Sequence, residues 1–444
     1  MSSRTATCCT SSSTSDAALQ VDCNLLVIGA GDRRMMFRHL IALALAGLLA
    51  ACATLPPAPA ETPRGPVTIL VSIDGFRPDY LGKGDTPVLD RLAAEGVSGA
   101  MIPAFPSKTF PNHYTLVTGL VPDHHGIVGN NMIDPQRPGV KFGLSITSQS
   151  QDPFWWEQAE PIWVTAEKAG VRTGTMFWPG ADVKIGGVYP SDWARYYEQF
   201  SYAQRVRTVR DWLARRDPAE RPRLVTLYFE DVDTQGHDFG PGSREARAAV
   251  RAADDAIGTL IADLATLGQP ANLVVVSDHG MAPITPPVNF VKLDDLLPRD
   301  AYVLVNYGAM TEIEPAAGRT AQVERALLGE RRGFTCWRKR ELPQRFRYGS
   351  NRRVPAIVCQ SATGWEMVQD DKAGAWKDGG DHGFDPADPA MRALFVAHGP
   401  AFRRGTRVAD FDNVHLYPLL ARLIGIAPRP SDGDPGVLAP LLAR

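Results

Sequence analysis

The sequence predicts an α/β fold with a mostly parallel central sheet and helices on both faces. From residue 66 onward, strand-like runs of valine, isoleucine and leucine alternate with helical segments. Such continuous apolar runs are typical of parallel strands that are buried on both faces. With 44% hydrophobic and 22% charged residues, the 444-residue chain also has an ordinary globular composition.

The predicted elements follow one another in a regular order. Residues 86–96 read as a helix because Thr86 is a candidate cap, Pro87 takes the first position and Gly96 ends the segment. The other helices are predicted from their period and the strands from their apolar runs. Strands are predicted at 67–74, 172–180, 223–231, 272–280 and 393–400, and further helices around 163–170 and at 202–216, 243–268 and 412–424.

Residues 282–380 break this alternation. The segment contains many prolines, short strand-like pieces and a pair of cysteines, Cys336 and Cys359. We interpret it as an insertion or smaller subdomain near the active face, within a single domain over 67–444.

The N-terminal segment has a different character. A basic stretch leads into the apolar run 40–49, which is too short for a transmembrane helix but fits a signal peptide. The following Leu-Ala-Ala-Cys predicts a lipoprotein-type signal over 35–52, acylation of Cys52 and a Pro/Ala-rich tether over 53–66. An ordinary cleaved signal with an incidental cysteine is the alternative.

Because a signal peptide starts at its initiator methionine, we expect translation to begin at Met35 or Met36. Residues 1–34 are then a non-native upstream extension. We expect an exported protein, periplasmic or attached to the outer membrane of a Gram-negative bacterium through Cys52.

Charge and cysteine content add two expectations. The net charge is −2, so there is no basic excess to attract nucleic acid. After Cys52 only Cys336 and Cys359 remain, and in an exported protein an even pair favours a disulfide. Two buried free thiols are the alternative, and the oligomeric state is left open.

Three predicted strands lead into acidic residues, Asp74, Asp233 and Asp278. Ligands of open α/β sheets bind just beyond the carboxyl ends of the strands. Any one of these acids alone is more readily explained as a turn residue or a helix cap.

Histidines accompany the acids in glycine-containing segments that we predict to be turns. His237 follows Asp233 by four residues, His279 follows Asp278 directly, and His382 lies in "GGDHGF". Imidazole nitrogens mixed with carboxylate oxygens suit Zn²⁺ better than Mg²⁺ or Ca²⁺. The number of candidate ligands is sufficient for two ions.

Thr109 is the candidate nucleophile. It precedes Phe110, Pro111 and an apolar helix, so its hydroxyl is predicted at a helix N-terminus that favours an anion such as phosphate. A plain helix cap is the alternative. Next to Zn²⁺ a hydroxyl ionises near neutral pH, so no histidine base is required.

These motifs resemble the nucleotide pyrophosphatase/phosphodiesterase family of the alkaline phosphatase superfamily. The resemblance extends over roughly residues 66–430, through "SIDGFRPDYL", "FPSKTFPNHY", "HGIVGNNM", "YFEDVDTQGH", "SDHGM" and "GDHGF". It implies an alkaline-phosphatase-like fold and two zinc ions per chain. Residue by residue, the ligands of one zinc match Asp233, His237 and His382, and those of the other match Asp74, Thr109, Asp278 and His279.

The resemblance also implies a reaction. Thr109 attacks phosphorus to form a phosphothreonine, whose hydrolysis releases a nucleoside 5'-monophosphate. Asn130, rather than Asn131, matches the residue that contacts phosphate, and we expect it to act with the amides at the helix start. Phe110 and, by a looser alignment, Trp193 are candidates for stacking on a base, and core packing is the alternative for both.

Other activities of the superfamily differ in their signatures. A sulfatase requires Cys or Ser where this chain has Thr109, and monoesterases typically use Ser with an Arg or a third metal. A choline-type head-group phosphodiesterase shares the same core residues and stays an alternative, as does a phosphate monoesterase. A catalytically silent zinc-binding protein is the remote alternative.

Overall fold

The computed structural model of the protein describes residues 64–285, 289–373 and 378–443. Several expectations lie outside these residues, namely the upstream extension, the signal peptide, Cys52 and the tether as far as residue 63. Among the helices within the described ranges, none combines the length and the apolar character needed to cross a membrane.

The strands form one large sheet and several small ones. In chain order they are β1 Val67–Ile73, β2 Val97–Ile102, β3 Asn131–Ile133, β4 Lys141–Gly143, β5 Thr173–Met176, β6 Asp192–Ala194, β7 Leu224–Phe229, β8 Ala271–Val276, β9 Ala282–Ile284, β10 Phe290–Lys292, β11 Tyr302–Asn306, β12 Met310–Pro315, β13 Gly329–Arg331, β14 Phe334–Arg338, β15 Ile357–Ser361, β16 Glu366–Val368, β17 Gly379–Asp381, β18 Ala393–His398, β19 Thr406–Arg407 and β20 Phe411–Asp412.

The α-helices range from single turns to a helix of 23 residues. In chain order they are α1 Pro87–Glu95, α2 Thr109–Thr118, α3 Pro122–His125, α4 Thr147–Ser150, α5 Ile162–Lys168, α6 Tyr202–Leu213, α7 Asp231–Phe239, α8 Arg244–Thr266, α9 Leu293–Leu296, α10 Thr320–Leu327, α11 Asp370–Ala373, α12 Leu416–Ile424 and α13 Pro435–Leu438.

The central sheet has the strand order β19-β2-β18-β8-β1-β7-β5-β6, and β20 also pairs with β2. Strands β8, β1, β7, β5 and β6 run parallel. Strand β18 runs antiparallel to both of its neighbours, a direction that its apolar sequence does not reveal. The mostly parallel α/β fold predicted from the sequence is confirmed.

Both faces of this sheet are covered by helices. Alternate residues of β1 point to opposite sides, so that Ile69 and Val71 join one apolar cluster and Leu70 joins another. The first cluster includes residues of α1, α6 and α8, and the second includes residues of α2, α5 and α12. Apolar side chains therefore dominate both faces of the sheet, and the acidic residues that the sequence singles out follow the strand ends.

Several predicted boundaries differ from the structure. The strands predicted at 172–180 and 272–280 end at Met176 and Val276, and the helix predicted at 202–216 ends at Leu213. The predicted strand 223–231 ends at Phe229, and α7 begins at Asp231. The predicted last helix starts as a 3-10 turn, Asn413–His415, before α12.

Within residues 302–361 the chain forms a second sheet with the order β11-β12-β15-β14-β13. We refer to it as the inserted sheet. A disulfide joins Cys336 of β14 to Cys359 of β15, which are direct partners across these antiparallel strands. The inserted sheet has an apolar cluster of its own, which includes residues of α9 and α10.

Candidate active site

The carboxyl ends of three neighbouring strands, β7, β1 and β8, bring the predicted acids together. Asp74 directly follows β1, Asp278 lies two residues beyond β8, and Asp233 lies in the helix that follows β7. The pairing of Ile73 with Phe229 keeps the ends of β1 and β7 level. This edge of the sheet is where an α/β fold places a ligand.

Asp233 and His237 lie on α7 and not in a turn, so that part of the prediction is wrong. A separation of four residues places both side chains on one face of the helix. Gly236 suggested a turn, but a Cβ at this position would lie 3.1 Å from the Met281 methyl group. The glycine therefore allows α7 to pack closely against the segment that follows β8.

The first group of candidate ligands is Asp233, His237 and His382, whose ligand atoms all lie within 4.8 Å of one another. Nε2 of His237 is 3.4 Å from Asp233 Oδ2, and Nε2 of His382 is 3.6 Å from Asp233 Oδ1. Nδ1 of His237 donates to the carbonyl of Gly380, and Nδ1 of His382 donates to that of Ser107. Because a carbonyl only accepts, each Nε2 carries a lone pair that is directed at Asp233.

The second group surrounds Thr109. Its Oγ1 is 3.4 Å from Nε2 of His279. The same nitrogen lies 3.5 Å from Asp74 Oδ1 and 2.9 Å from Asp278 Oδ2. His279 donates from Nδ1 to the Gly280 carbonyl, so in the neutral ring its Nε2 presents a lone pair to these oxygens.

The two groups contain buried oxygens without a hydrogen-bond partner among the described residues, namely Asp74 Oδ1, Asp233 Oδ1 and Asp278 Oδ2. Converging lone pairs and unpaired carboxylate oxygens repel one another unless a cation lies between them. Burial and the negative charges of Asp278 and Asp233 raise the pKa of Asp74 well above its ordinary value. The donor set of imidazole nitrogens and carboxylate oxygens therefore fits a divalent cation of the zinc type.

Gly75 sets the spacing between the two groups. It has a φ of 67°, and a Cβ would lie 3.0 Å from both Cα and Oδ1 of Asp233. Only glycine satisfies both the backbone angle and the close approach of α7.

Thr109 is the first residue of α2, and its side chain does not cap this helix. The amide of Phe110, one of the free donors at the helix start, donates instead to Oδ1 of Asn130 at 2.9 Å. Because this amide is hydrogen-bonded to Asn130, it is not free to donate to phosphate, contrary to the expectation for the amides at the helix start. The Nδ2 group of Asn130 is left as the donor on the cavity side.

A cavity of about 450 Å³ opens above this edge of the sheet. Asp74, Thr109, Asp233, His237 and His382 belong to its lining, whereas Asp278 and His279 are fully buried behind them. Six aromatic side chains also line the cavity, and we call them the aromatic wall: Phe110, Trp156, Phe177, Trp178, Tyr196 and Tyr228. Much of the remaining lining is polar or charged and includes Asp182, Arg195, Glu198 and Glu230. The cavity thus joins the candidate cation ligands to aromatic and charged side chains.

Of the two aromatic residues predicted to bind a base, the structure places only Phe110 in the cavity. Trp193 is 38% exposed and stacks on Tyr189, with ring centres 5.3 Å apart. Tyr196 lines the cavity instead. Within β6 the side chains of Trp193 and Ala194 point to opposite sides, and Ala194 lines the cavity. Tyr196 lies two residues beyond the strand, where alternation gives no signal.

Two further residues of the site were missed in the sequence. The Tyr228 hydroxyl donates to Asp74 Oδ2 at 2.6 Å, which orients this carboxylate. His113, fully buried one turn after Thr109, donates from Nδ1 to the Thr109 carbonyl, and the same nitrogen is 3.3 Å from Asp278 Oδ2. The sequence offered two signals. Tyr228 places a hydroxyl near the end of the apolar run of β7, and His113 is a histidine on the apolar face of α2.

Comparisons with known proteins agree with this geometry. A profile described as type I phosphodiesterase / nucleotide pyrophosphatase matches residues 68–385. The chain is 37% identical over 369 residues to the human protein named ectonucleotide pyrophosphatase/phosphodiesterase family member 5, which covers 82% of this chain and 76% of that protein. It is 35% identical over 402 residues to a Xenopus laevis protein named bis(5'-adenosyl)-triphosphatase. This match covers 90% of the present chain and 86% of the Xenopus protein.

Solved structures show the same likeness. An inactive variant of the murine ectonucleotide pyrophosphatase/phosphodiesterase 5, in complex with AMP, superposes with a TM-score of 0.81 at 36% identity. This match covers 85% of the present chain and 100% of the murine chain. The human counterpart gives the same TM-score, identity and coverage.

Proposed function

The chain belongs to the type I phosphodiesterase/nucleotide pyrophosphatase family of hydrolases, in the alkaline phosphatase superfamily, and from this premise we propose its reaction. It hydrolyses phosphodiester or pyrophosphate bonds of nucleotides and releases nucleoside 5'-monophosphates. The reaction uses two zinc ions per chain and a phosphothreonine intermediate at Thr109, in which the phosphoryl group on Oγ1 still bears the nucleoside.

The position of Thr109 is the observation that carries this proposal. Its hydroxyl lies at the floor of the cavity, 3.4 Å from a histidine nitrogen whose lone pair is directed toward it. This is the arrangement expected of an alcohol that shares a cation with Asp74, Asp278 and His279. Asp233, His237 and His382 would hold the second cation. Zinc, when bound, supplies positive charge that favours ionised oxygens in the nucleophile and in the reacting phosphate.

The chemistry on the protein is a double displacement at phosphorus. Oγ1 of Thr109 loses its proton and forms a bond to phosphorus while the bond to the leaving oxygen breaks, and that oxygen leaves with a proton. Water then attacks the same phosphorus, which releases the nucleoside 5'-monophosphate and restores the Thr109 hydroxyl. The Tyr228 hydroxyl holds the carboxylate of Asp74 in place throughout, and the Gly75 amide donates to Oδ1 of Asp278. His113, hydrogen-bonded to the Thr109 carbonyl, lies beside Asp278.

Asn130 and the aromatic wall bind the substrate. The Nδ2 group of Asn130 donates to a phosphate oxygen, since its Oδ1 is already paired with the Phe110 amide. Phe110, at the start of α2, presents its ring beside the nucleophile and is backed by Trp156 at 6.0 Å. A base can stack there, in keeping with the AMP bound by the murine relative.

A paired assay tests the proposal. We expect release of nitrophenol from the 5'-nitrophenyl ester of thymidine monophosphate to exceed that from nitrophenyl phosphate. Zinc content is measured on the same preparation. Faster turnover of the monoester would overturn the diesterase assignment, and zinc without any turnover would indicate a silent binding protein. Nitrophenyl phosphorylcholine as a third substrate separates nucleotides from choline head groups.

A further inference from the structure

A cluster of buried polar side chains connects the inserted sheet to the loop that carries Asn130. Its members are Asn306 from β11, Glu312 from β12 and Tyr348 from the segment between β14 and β15, and we call it the Glu312 cluster. Glu312 is fully buried, and both of its oxygens have partners. Nδ2 of Asn306 donates to Oε2 at 2.6 Å, and the Tyr348 hydroxyl lies 2.8 Å from Oε1.

The cluster holds the backbone on both sides of Asn130. Asn306 accepts from the amide of Asn131 at 3.3 Å and donates to its carbonyl at 2.9 Å. The Tyr348 hydroxyl donates to the carbonyl of Val128 at 2.8 Å. Between these anchors, a Cβ at Gly129 would lie 2.9 Å from Nδ2 of Asn306, so the loop is pressed directly against the cluster.

The hydrogen bonds require Glu312 in its neutral form. Tyr348 has one hydroxyl proton, and it cannot serve both the Val128 carbonyl and an ionised Glu312. A protonated Glu312 donates to the Tyr348 oxygen, which frees the Tyr348 proton for Val128. Burial raises the pKa of Glu312 to about 7. The other charged group that acts on Glu312 is Lys339, and Asp123 acts on Tyr348.

We propose that Glu312, through Asn306 and Tyr348, positions Asn130 for its contact with the phosphate of the substrate. This inference rests on the proposed function. Under this proposal, no side chain of the inserted sheet touches the substrate. It fixes the loop 128–131 so that the side chain of Asn130 can bridge the Phe110 amide and the reacting phosphate.

The test is a double-mutant cycle on kcat for the best diester. Removal of one hydrogen-bond donor to a transition-state oxygen typically lowers kcat about 10²-fold or more. We expect a loss of this size for Asn130→Ala. Glu312→Ala is expected to lower kcat about 10-fold in the native background and less than about 2-fold in the Asn130→Ala background, because it acts only through that side chain. Glu312→Gln, whose amide can donate to Tyr348 and accept from Asn306, should restore the native kcat.

Glu314→Ala is the matched control. Glu314 lies on the same strand and accepts from the Ala356 amide at 2.9 Å, so its loss weakens the inserted sheet without a contact to residues 128–131. Its kcat is expected to be native. Equal losses from Glu312→Ala in both backgrounds, or an equal loss from Glu314→Ala, would overturn the positioning role.

Amide hydrogen exchange keeps the inference testable if the chain proves inactive. The Asn131 amide should exchange faster in Glu312→Ala and at the native rate in Glu312→Gln and Glu314→Ala. If Glu312→Ala does not fold, Tyr348→Phe removes the same anchor at Val128. Unchanged exchange in the variant that folds would overturn the inference, whereas absence of diester turnover with the expected exchange would overturn only the proposed function.

Discussion

Two regions of the molecule bury carboxyl groups in opposite ways. At the carboxyl ends of β7, β1 and β8, three acids lie together with unpaired oxygens and with imidazole lone pairs directed at them. In the Glu312 cluster, a single acid is fully buried and both of its oxygens have partners within the protein. The first arrangement is incomplete without an added positive charge, and the second is complete when it carries a proton.

This difference separates functional from structural burial of polar groups. A buried acid that neighbouring side chains fully satisfy stabilises one conformation and does not call for a ligand. Buried acids left unpaired beside histidines mark a place where an ion belongs.

Thr109→Ala should have the largest effect, with a loss of diester turnover of at least about 10³-fold, because the nucleophile is removed. Bound zinc and affinity for AMP should stay close to native, since the acids and histidines are intact. Steady-state kinetics, metal analysis and calorimetry measure these quantities. Thr109→Ser, which keeps a hydroxyl, is the control, and native turnover in Thr109→Ala would contradict the assignment of the nucleophile.

Asp74→Asn should remove roughly one of the two proposed zinc ions, because a neutral amide is a poor ligand and Asp74 belongs to the group around Thr109. Zinc held by Asp233, His237 and His382 should stay. Tyr228→Phe, which leaves the carboxylate but removes its orienting hydrogen bond, should lower affinity at the same site about 10- to 100-fold. Stoichiometry and competition with a chelator provide the measurement, and equal loss of both ions would contradict two separate groups.

Glu312→Gln should change the pH dependence of stability. The pKa of Glu312 is about 7 in the folded protein, because burial disfavours its charged form, against an ordinary value of 4.5. The folded state therefore binds more protons between these values, and the free energy of unfolding falls by about 3 kcal/mol as the pH rises through them.

Glutamine does not titrate, so Glu312→Gln should be more stable than the native protein at pH 8 and similar to it near pH 4.5. Urea unfolding at both pH values measures this. A native-like decline of stability with pH in the variant would show that Glu312 is not the responsible group.

Phe110→Ala should raise KM for a nucleotide diester about 10-fold through loss of a stacking surface, with a smaller effect on kcat. Trp193→Ala is the matched control, because its side chain lies on the opposite side of β6 and outside the cavity lining. Its KM should stay within about 2-fold of native, as is usual for a residue remote from the site. A larger effect of Trp193→Ala would restore it as a substrate contact.

Much of the fold could be predicted from the sequence because parallel strands buried on both faces are continuous apolar runs. β1, β5, β7 and β8 were each identified from an apolar run bounded by a turn or a helix. The antiparallel direction of β18 was not, since Ala393–His398 is equally apolar whichever way it runs. From the sequence, the inserted sheet is visible only as a break in the pattern. Its strands have three to six residues, share no polarity pattern and include pairs that are distant in the chain.

The candidate site could be predicted from the sequence where spacing along the chain alone brings residues together. Asp233 and His237 reach one point in either a turn or a helix, so the pairing was predicted although the secondary structure was wrong. Tyr228 and His113 were missed because their roles depend on contacts with Asp74 and Asp278, which come from other strands. The Glu312 cluster was beyond reach for the same reason, since Glu312 and Val128 are joined only through Tyr348.

Gly75 has a consequence for experiments that substitute every position in turn. It bears no reactive group, yet its backbone angle and the 3.0 Å approach of Asp233 disfavour any side chain. An activity screen would therefore score position 75 as sensitive, as it would Thr109. Loss of function in such a screen would mark a close backbone approach together with the chemistry. Zinc content measured on each purified variant would distinguish the two.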